Sequence, residues 1–573
     1  MNNNKLLLLS KQSKNLPTLL LCLLLLIMVG LPILILFLQS FQERGTLTFF
    51  TSNPTFDNYR TVFASSFTYE LLWNSILFII GSLAIALVIA LIMAFLVERT
   101  DLPYKEYAYV AAFLPMAIPG AITAIGWTFL LNPTNGMINV WIRSLLNLDI
   151  AQGPINIYSY GGMIFIAGIS FAPTMFLMLS SIMKNLDPSL EEAAMSSGAD
   201  KFGVARYVVL PLLRPGILSV FIFFFIILLE TLEIPLVLGM NVDFTVLSVE
   251  IYNASVGGAR EIPNYELACT FAVVILIIGI CLILMYFFFT RQAERYAVIT
   301  GKGYKSKAYK LGKWKYAALL FLGSYFLMKL VLPVVVLLWS SLLPYYQAIS
   351  FEGFKMLNFD NYRELFGLQT FNKAVANTIV LVLVTSLATM LLASLISWIV
   401  VREKGVLPKA LDVLAFMPNL LPGVVLGIAL ILASIGTPLY GTLTVLIFGF
   451  IIRYITFAVR MMSGLFFQIS VELEDAASAS GANKATIFFR IILPLLFPAF
   501  VNGFLWVGSH TMRDLTLPIF LMSTSNVVFA SLIWQTWASG SHEVTASVSV
   551  LLVITLLFVV TPVQMYMARR NKT

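Results

Sequence analysis

Charged residues are scarce in this chain of 573 residues: 11% are Asp, Glu, Lys or Arg, whereas 59% are hydrophobic. A water-soluble domain carries about 25% charged residues, so the composition excludes a soluble enzyme. Uncharged apolar runs of about 20 residues recur along the whole chain, and that length crosses a hydrocarbon core about 30 Å thick. The composition therefore indicates an all-α polytopic membrane protein.

Cysteine and histidine are also rare. The three cysteines, Cys22, Cys269 and Cys281, fall inside apolar runs, where we expect them to pack as small apolar side chains rather than to form disulfides. With only two histidines, His510 and His542, a His-rich catalytic metal site is not expected. We therefore predict no catalytic residue and no resident metal in this chain.

A nucleotide-binding motif is missing as well. The sequence contains no G-x-x-x-x-G-K-[ST] string, and the nearest one, residues 301–306, has the wrong spacing to cradle phosphates. We therefore expect that the chain does not hydrolyse ATP itself and binds no cofactor of its own.

Twelve apolar runs are predicted to span the membrane. They lie at about residues 17–39, 71–96, 107–131, 161–183, 215–239, 267–290, 316–341, 375–401, 410–434, 439–464, 495–522 and 545–568. Of the 36 Lys and Arg residues, 25 flank one side of these spans, 7 flank the other and four lie within spans. The positive-inside rule then places both termini in the cytoplasm. The first run is longer than the apolar core of a signal peptide and is expected to remain as the first span.

An internal repeat divides the chain into two halves. Residues 56–60 (FDNYR) recur at 359–363, an offset of 303, and residues 190–194 match 473–477 at an offset of 283. The difference of 20 predicts an insertion of 20 residues in the first half, around residues 132–160. We predict a first six-span half at 1–290, a basic cytoplasmic linker at 291–315 and a second six-span half at 316–573. Because six is even, the two halves form a parallel repeat.

The loop between the fourth and fifth spans of each half, at about residues 184–214 and 465–494, carries one pattern twice. Over residues 190–217 against 473–500, 13 of 28 positions are identical. The pattern predicts a short helix, a left-handed glycine turn at Gly198 or Gly481, and a second short helix. Asp200 or Asn483 would cap that second helix, and a Leu-Pro pair would end it. Simple connector helices would explain one copy, but not the unchanged spacing of two.

This pattern resembles the EAA signature in the membrane subunits of binding-protein-dependent ABC importers of the type I fold, and the resemblance covers both halves. It implies that each loop docks into a groove on a separate ATP-binding subunit and transmits its closure to the spans. The coupling residues that it implies are Glu192, Ala193, Ala194, Gly198, Leu210, Pro211, Asp475, Ala476, Ala477, Gly481, Leu493 and Pro494. Asp475 stands where the signature has Glu, and since the charge is kept we expect little change.

The same resemblance implies the partners and the location of the chain. Two ATP-binding subunits, which hold ATP and Mg²⁺, would lie on the cytoplasmic face, and one substrate-binding protein on the outer face. The chain itself would be a multi-pass protein of the bacterial inner membrane. A nucleic-acid partner is not expected, because the positive charge follows the topology of the spans.

Charged residues within the spans are functional candidates, because they are costly in the hydrocarbon region. Glu230 and Glu233 are one helical turn apart in the fifth span and are therefore expected on one face, and Arg513 and Asp514 lie at the same depth in the eleventh. Two interpretations remain open: an outward vestibule on the translocation path, or an ion-pair cluster that holds the halves together. Lys329 and Arg453 are expected to pair structurally or to snorkel, like many charged side chains in spans.

The substrate is the least determined property. Residues 230–235 (ETLEIP) and 513–515 (RDL) resemble the corresponding sites of ferric-iron permeases, which have Lys-Glu-Leu at the second site. A ferric ion bound with a carbonate-like anion would suit both the acidic groups and Arg513. Thiamine, a polyamine, aminoethylphosphonate or a sugar phosphate remain alternatives.

Two other classes of protein also need to be considered. A secondary transporter of six plus six spans would need its Gly-rich basic loop between the second and third spans, which residues 98–103 (ERTDLP) do not resemble. A membrane-embedded enzyme would need an inward-facing cluster of His, Cys or carboxylate groups with ligand or acid–base spacing, which the sequence does not show.

Overall fold

The computed structural model describes residues 16–570 except 44, 46–53, 185–187, 240, 241, 243, 258–261 and 294–308. Most of the predicted linker and three residues of the first coupling loop therefore lie outside the described residues. In the first half the helices are Leu16–Gln39, Asp57–Ala64, Ser66–Arg99, Lys105–Ala117, Gly120–Leu131, Met137–Leu145, Tyr160–Lys184, Pro188–Ser196, Lys201–Val204, Leu210–Leu229, Glu233–Gly239, Leu247–Val256 and Tyr265–Ala293. In the second half they are Trp314–Ser341, Phe351–Lys355, Asp360–Gly367, Gln369–Arg402, Val406–Leu420, Gly423–Ser434, Leu443–Phe466, Glu472–Ala479, Lys484–Leu495, Phe497–Arg513, Thr516–Leu521, Phe529–Ala538 and His542–Arg570.

The number of membrane-crossing helices agrees with the predicted class. Among the described residues, eight helices are long and apolar enough to cross a membrane, and three sharply bent helix pairs raise that number to as many as 11. A further apolar stretch, His542–Phe558, begins the last helix at the position of the twelfth predicted span. The prediction of an all-α polytopic membrane protein is therefore confirmed.

The third and ninth predicted spans are broken inside the membrane rather than continuous. Lys105–Ala117 meets Gly120–Leu131 at 93°, and Val406–Leu420 meets Gly423–Ser434 at 103°. A proline precedes the second helix in both places, and it disfavours a helical conformation in the residue before it. Non-helical backbone at membrane depth is tolerated where protein buries it or where it lines a cavity. These two breaks therefore indicate the interior of the molecule.

The internal repeat is visible in the helix boundaries. Leu131 and Ser434 end equivalent helices at an offset of 303, whereas Tyr160 and Leu443 begin the next equivalent helices at an offset of 283. The 20 extra residues of the first half thus lie between Leu131 and Tyr160, as predicted, and they include the additional helix Met137–Leu145.

The first helix of each half packs against the other half. Leu16–Gln39 contacts Gly423–Ser434 of the second half, and the end of Trp314–Ser341 contacts Gly120–Leu131 of the first. The first apolar run is therefore part of the packed bundle, and the two halves are joined over a broad interface rather than only by the linker.

The three cysteines are free and form no disulfide, as we predicted from their positions inside apolar runs. Cys269 is buried in the core, and Cys22 is partly buried. Cys281 is exposed on the surface of Tyr265–Ala293, so the prediction of a packing role is wrong for this residue.

Candidate functional site: two coupling loops and a charged cavity

Each predicted coupling loop begins with a short helix that ends in a glycine turn. Gly198 has a φ of +89° and Gly481 a φ of +85°, the left-handed conformation that favours glycine. The backbone N–H after each glycine donates to the carbonyl five residues earlier, from Ala199 to Ala194 and from Ala482 to Ala477, both at 3.0 Å. The predicted left-handed turns are therefore confirmed in both copies.

The second helix of each loop has the predicted cap. The Oδ1 atom of Asp200 accepts a hydrogen bond from the backbone N–H of Gly203 at 2.9 Å. The Oδ1 atom of Asn483 accepts one from Thr486 at 2.8 Å. These side chains satisfy N–H groups that the helix itself leaves unpaired, so the local sequence alone sets where this helix begins.

The role of the Leu-Pro pair differs between the halves. In the second half, the helix ends at Leu495, directly after Pro494, and the chain bends by 77°. A π-helical turn precedes the Leu-Pro pair in both halves, at Ala205–Val209 and Phe488–Ile492, but in the first half the chain continues without a bend as Leu210–Leu229. Since neither Pro211 nor Pro494 has an N–H, the π turn in front of each accommodates the missing backbone bond. The prediction that Leu210 and Pro211 end the helix is therefore wrong.

Most residues of the predicted signature are exposed at the surface of the molecule. Exposed members are Ala193, Gly198, Leu210, Pro211, Asp475, Ala476, Gly481 and Pro494, and partly buried ones are Glu192, Ala194, Ala477 and Leu493. A second protein could therefore contact most of this surface directly.

The acidic residue just before each signature points into the protein rather than to its surface. This orientation was not predicted from the sequence. Glu191 pairs with Arg99 at 3.0 Å, and their side chains are only 8% and 5% exposed. Glu474 pairs with Arg402 at 2.7 Å, with 12% and 14% exposed. The sequence does contain a signal for these pairs, because the two glutamates are equivalent at the offset of 283 and the two arginines are equivalent at the offset of 303.

A cavity of about 250 Å³ lies between the halves, next to the breaks in the spans. Its charged lining consists of Glu230, Glu233, Arg453, Arg513 and Asp514. The structure therefore brings all four predicted translocation-path residues together at one site, and it adds Arg453, for which a structural pairing role was predicted.

Glu230 and Glu233 do not share one face of a continuous helix, which corrects the prediction. The helix ends at Leu229 and restarts at Glu233, so the two carboxylates reach different partners. Glu230 accepts a hydrogen bond from the backbone N–H of Gly423, which begins the half-helix of the ninth span. Glu233 accepts one from Ala121 at 3.0 Å, at the start of the corresponding half-helix of the third span. A carboxylate at a helix N-terminus suits the partial positive charge there.

The remaining charges form a cluster that joins the halves. Nε of Arg453 lies 2.9 Å from Asp514, and Nη1 lies 3.5 Å from Glu230 of the first half. Arg513 of the second half donates to the carbonyl of Met116 in the first at 2.6 Å. The same residues thus line a cavity and form interhelical ion pairs, so the geometry contains both arrangements that the sequence left open.

Lys329 is fully buried near this cluster, and the prediction that it pairs or snorkels is wrong. It lies in the π-helical turn Leu327–Val331 and is 1% exposed. Its ammonium group donates to the hydroxyls of Thr123 at 2.6 Å and Ser170 at 3.2 Å. Its side-chain nitrogen is therefore held by neutral hydroxyl groups, one on a half-helix of the third span and one in the cavity wall.

The three carboxylates of the cavity do not form a metal centre in this conformation. Within the described ranges, no group of three or more His, Cys, Asp or Glu side chains is arranged to hold a metal ion. Their oxygens accept hydrogen bonds from helix N-termini and pair with arginine instead.

Two homologous helical halves around a charged cavity, each with an exposed loop of the same geometry, define the membrane subunit of a transporter. The chain belongs to the family described as binding-protein-dependent transport system inner membrane component, whose model matches residues 86–297 and 387–572. It is accordingly a multi-pass permease of the inner membrane.

Individual relatives match most of the chain. It is 24% identical over 484 residues to the ferric transport system permease protein FbpB of Actinobacillus pleuropneumoniae, covering 82% of this chain and 67% of that protein. It is 24% identical over 495 residues to the Fe(3+)-transport system permease protein FbpB 2 of Haemophilus influenzae, covering 85% and 87%. Shorter parts match permeases named for sugars and polyamines. A solved bacterial alginate ABC transporter in complex with its periplasmic protein matches with a TM-score of 0.39 and 20% identity, over 50% of this chain and 96% of that chain.

Proposed function

We propose that this chain is the membrane subunit of an ATP-driven importer and that its two loops couple it to separate ATP-binding subunits. The observation that carries the proposal is the repeated loop geometry. Each loop presents its signature outward and is tied inward by one buried Arg–Glu pair to the end of a long spanning helix, Ser66–Arg99 or Gln369–Arg402. A displacement of either loop would thus be transmitted to a span.

One copy of the chain would form the whole translocation path, because both halves carry a complete loop. Native mass spectrometry of the purified complex should give one copy of this chain with two ATP-binding subunits. A complex with two copies of each would contradict the proposal.

The substrate-binding protein would dock on the opposite, outer face. The excess of Lys and Arg on one side of the spans supports cytoplasmic termini.

The path would run through the charged cavity, with Glu230, Glu233, Arg513 and Asp514 along it. Three observations support this location: the cavity lies between the halves, it adjoins broken helices, and its lining is charged. Broken spans and intramembrane charges are typical of substrate paths. Opening between the halves would separate Glu230 from Arg453 and would free their charges for the cargo.

We propose ferric iron, delivered by a periplasmic or lipid-anchored binding protein, as the cargo. The proposal is supported by relatives named for ferric transport that match most of the chain and by a cavity that offers both carboxylates and arginines. Thiamine, a polyamine, aminoethylphosphonate and a sugar phosphate remain the alternatives within the same class of transporter.

Proteoliposomes that contain the complex, its binding protein and internal ATP should accumulate radioactive ferric iron. Uptake of labelled thiamine, spermidine, aminoethylphosphonate or a labelled sugar phosphate instead of iron would identify the cargo as one of the alternatives. The same vesicles without the ATP-binding subunits should show no uptake. Uptake in their absence would indicate a secondary transporter.

A further inference from the structure

The two coupling helices are held by equivalent ion pairs but by different second partners. In the second half, the indole N–H of Trp398 donates to Oε2 of Glu474 at 2.9 Å, while Arg402 binds Oε1. The position equivalent to Trp398 in the first half is Phe95, whose ring has no hydrogen-bond donor. The first coupling helix therefore lacks this donor within its own half.

The linker between the halves provides a donor at the same place. The hydroxyl of Tyr309 donates to Oε2 of Glu191 at 2.5 Å, while Arg99 binds Oε1. The ring of Tyr309 lies beside that of Phe95, with 6.1 Å between the ring centroids. Each coupling helix thus has one carboxylate held by an arginine and by an aromatic N–H or O–H donor.

Tyr309 is fixed at this position by its backbone. Its N–H donates to the carbonyl of Arg99 at 2.8 Å, and its carbonyl accepts from Asp101 at 3.0 Å. Two residues later, the N–H of Leu311 donates to the carboxylate of Asp101 at 2.7 Å. This segment of the linker is therefore fastened to the end of Ser66–Arg99 immediately before Trp314–Ser341 begins.

We propose that Tyr309 is a positioning residue of the first coupling site, where it takes the part that Trp398 takes in the second. The linker is then a component of the coupling apparatus as well as a tether. Because Tyr309 leads directly into a helix of the second half, a displacement of the first coupling helix would also pull on the second half. This inference rests on the proposed coupling function of the loops.

The hydroxyl is suited to this part over a wide pH range. Burial, strengthened by the adjacent carboxylate of Glu191, raises the pKa of Tyr309 to about 12. The hydroxyl therefore stays protonated and able to donate throughout the physiological range, as the indole N–H of Trp398 does.

The test is Tyr309→Phe, which removes the donor and keeps the ring. In proteoliposomes with the ATP-binding subunits and the ferric-loaded binding protein, we expect about fivefold more ATP hydrolysed per iron imported, since a hydrogen bond to a charged group is lost. Trp398→Phe is the matched change in the second half and should have a similar effect. A purely structural role would lower the thermal stability of the complex and leave this ratio unchanged.

The rescue variant is Phe95→Trp combined with Tyr309→Phe, which gives the first half the donor arrangement of the second. It should return the ratio of ATP to iron to within about twofold of wild type, with one hydrogen bond restored. A wild-type ratio in Tyr309→Phe, or failure of the double variant to restore it, would overturn the inference.

Glu191→Gln and Glu474→Gln separate this inference from the function on which it rests. If both variants uncouple transport and Tyr309→Phe does not, only the role of the linker is wrong. If neither variant changes ATP-binding-subunit docking or the ATP-to-iron ratio, the proposed coupling function of the loops is itself wrong.

Discussion

The coupling loops of the two halves share the geometry of their glycine turn, whereas the two halves contribute different groups to the cavity. Gly198 and Gly481 have nearly the same φ, and the bonds around them match. In the cavity, by contrast, Glu230 of the first half is equivalent in sequence to Arg513 of the second, so opposite charges occupy equivalent places. Under the proposed function, the loops must fit two ATP-binding subunits of one kind, while a single cargo imposes no such symmetry.

The contact pattern in the cavity follows from this difference in charge. Glu230 reaches across to an N–H at a helix start in the second half, and Arg513 reaches across to a carbonyl in the first. Acids suit helix N-termini, and cations suit backbone carbonyl groups. Equivalent positions therefore both bridge the halves, but they do so with charges of opposite sign.

The largest effect is expected from removing charge in the cavity, where the two halves differ. Glu230→Gln combined with Glu233→Gln keeps side-chain oxygens that can accept the N–H groups of Gly423 and Ala121. We expect uptake of radioactive iron to fall about 10- to 100-fold, since interactions with a charged group are worth about 1.5–3 kcal/mol. Co-purification of the ATP-binding subunits should be unchanged.

Glu266→Gln is the control for that double variant. Glu266 is also a buried carboxylate of the first half, 2% exposed, and it accepts hydrogen bonds from Gln39 and Gly45 away from the cavity. Uptake should persist in this variant. Normal uptake in a correctly assembled Glu230→Gln, Glu233→Gln complex would show that the cavity charges only hold the halves together.

The sequence predicted elements whose cause is local and missed those whose cause is tertiary. Apolar runs, glycine turns and helix caps depend on a few neighbouring residues, and these predictions were confirmed at Gly198, Gly481, Asp200 and Asn483. The orientation of Glu191 depends on Arg99, which lies on a different helix. An exposed and a buried glutamate look alike in a sequence until a partner for one of them is found.

The breaks in the spans were also not predicted from the sequence. Hydropathy reports how apolar a stretch is, but it does not report where its backbone hydrogen bonds are interrupted. The repeated pairs Pro119-Gly120 and Pro422-Gly423 were the available signal, since proline disfavours helix in the preceding residue. Whether such a pair kinks a helix or divides it depends on groups such as Glu230 and Glu233, which satisfy the freed N–H groups from other helices.

An intermediate effect is expected from substitutions in the coupling loops, where the two halves are alike. Gly198→Val and Gly481→Val each place a β-branched residue in a left-handed conformation, which costs about 1–2 kcal/mol. A Cβ atom at either position would meet nothing within 4 Å, so the backbone conformation alone causes the cost. We expect docking of the ATP-binding subunits, measured by co-purification and ATP turnover, to weaken about 5- to 30-fold.

Gly464→Val provides the matched control for these two variants. Gly464 lies in Leu443–Phe466, where an added Cβ atom also meets nothing within 4 Å, and its helical conformation accepts a side chain. This variant should dock the ATP-binding subunits normally. Wild-type docking and uptake in both Gly198→Val and Gly481→Val would show that the loops are passive connectors.

The smallest effect is expected from making the two signatures alike. Asp475→Glu gives the second loop the Glu-Ala-Ala of the first, and Glu192→Asp makes the reciprocal change. Asp475 is exposed and lies in the first turn of Glu472–Ala479, where either carboxylate suits the helix dipole. Because the charge is kept and the side chain differs by one methylene, we expect ATP turnover and iron uptake to change by less than about twofold. A loss of more than about fivefold from Asp475→Glu alone would mean that the second ATP-binding subunit requires the shorter side chain. The two docking surfaces would then be distinct, and the symmetry of the loops would extend to their backbone but not to their recognition.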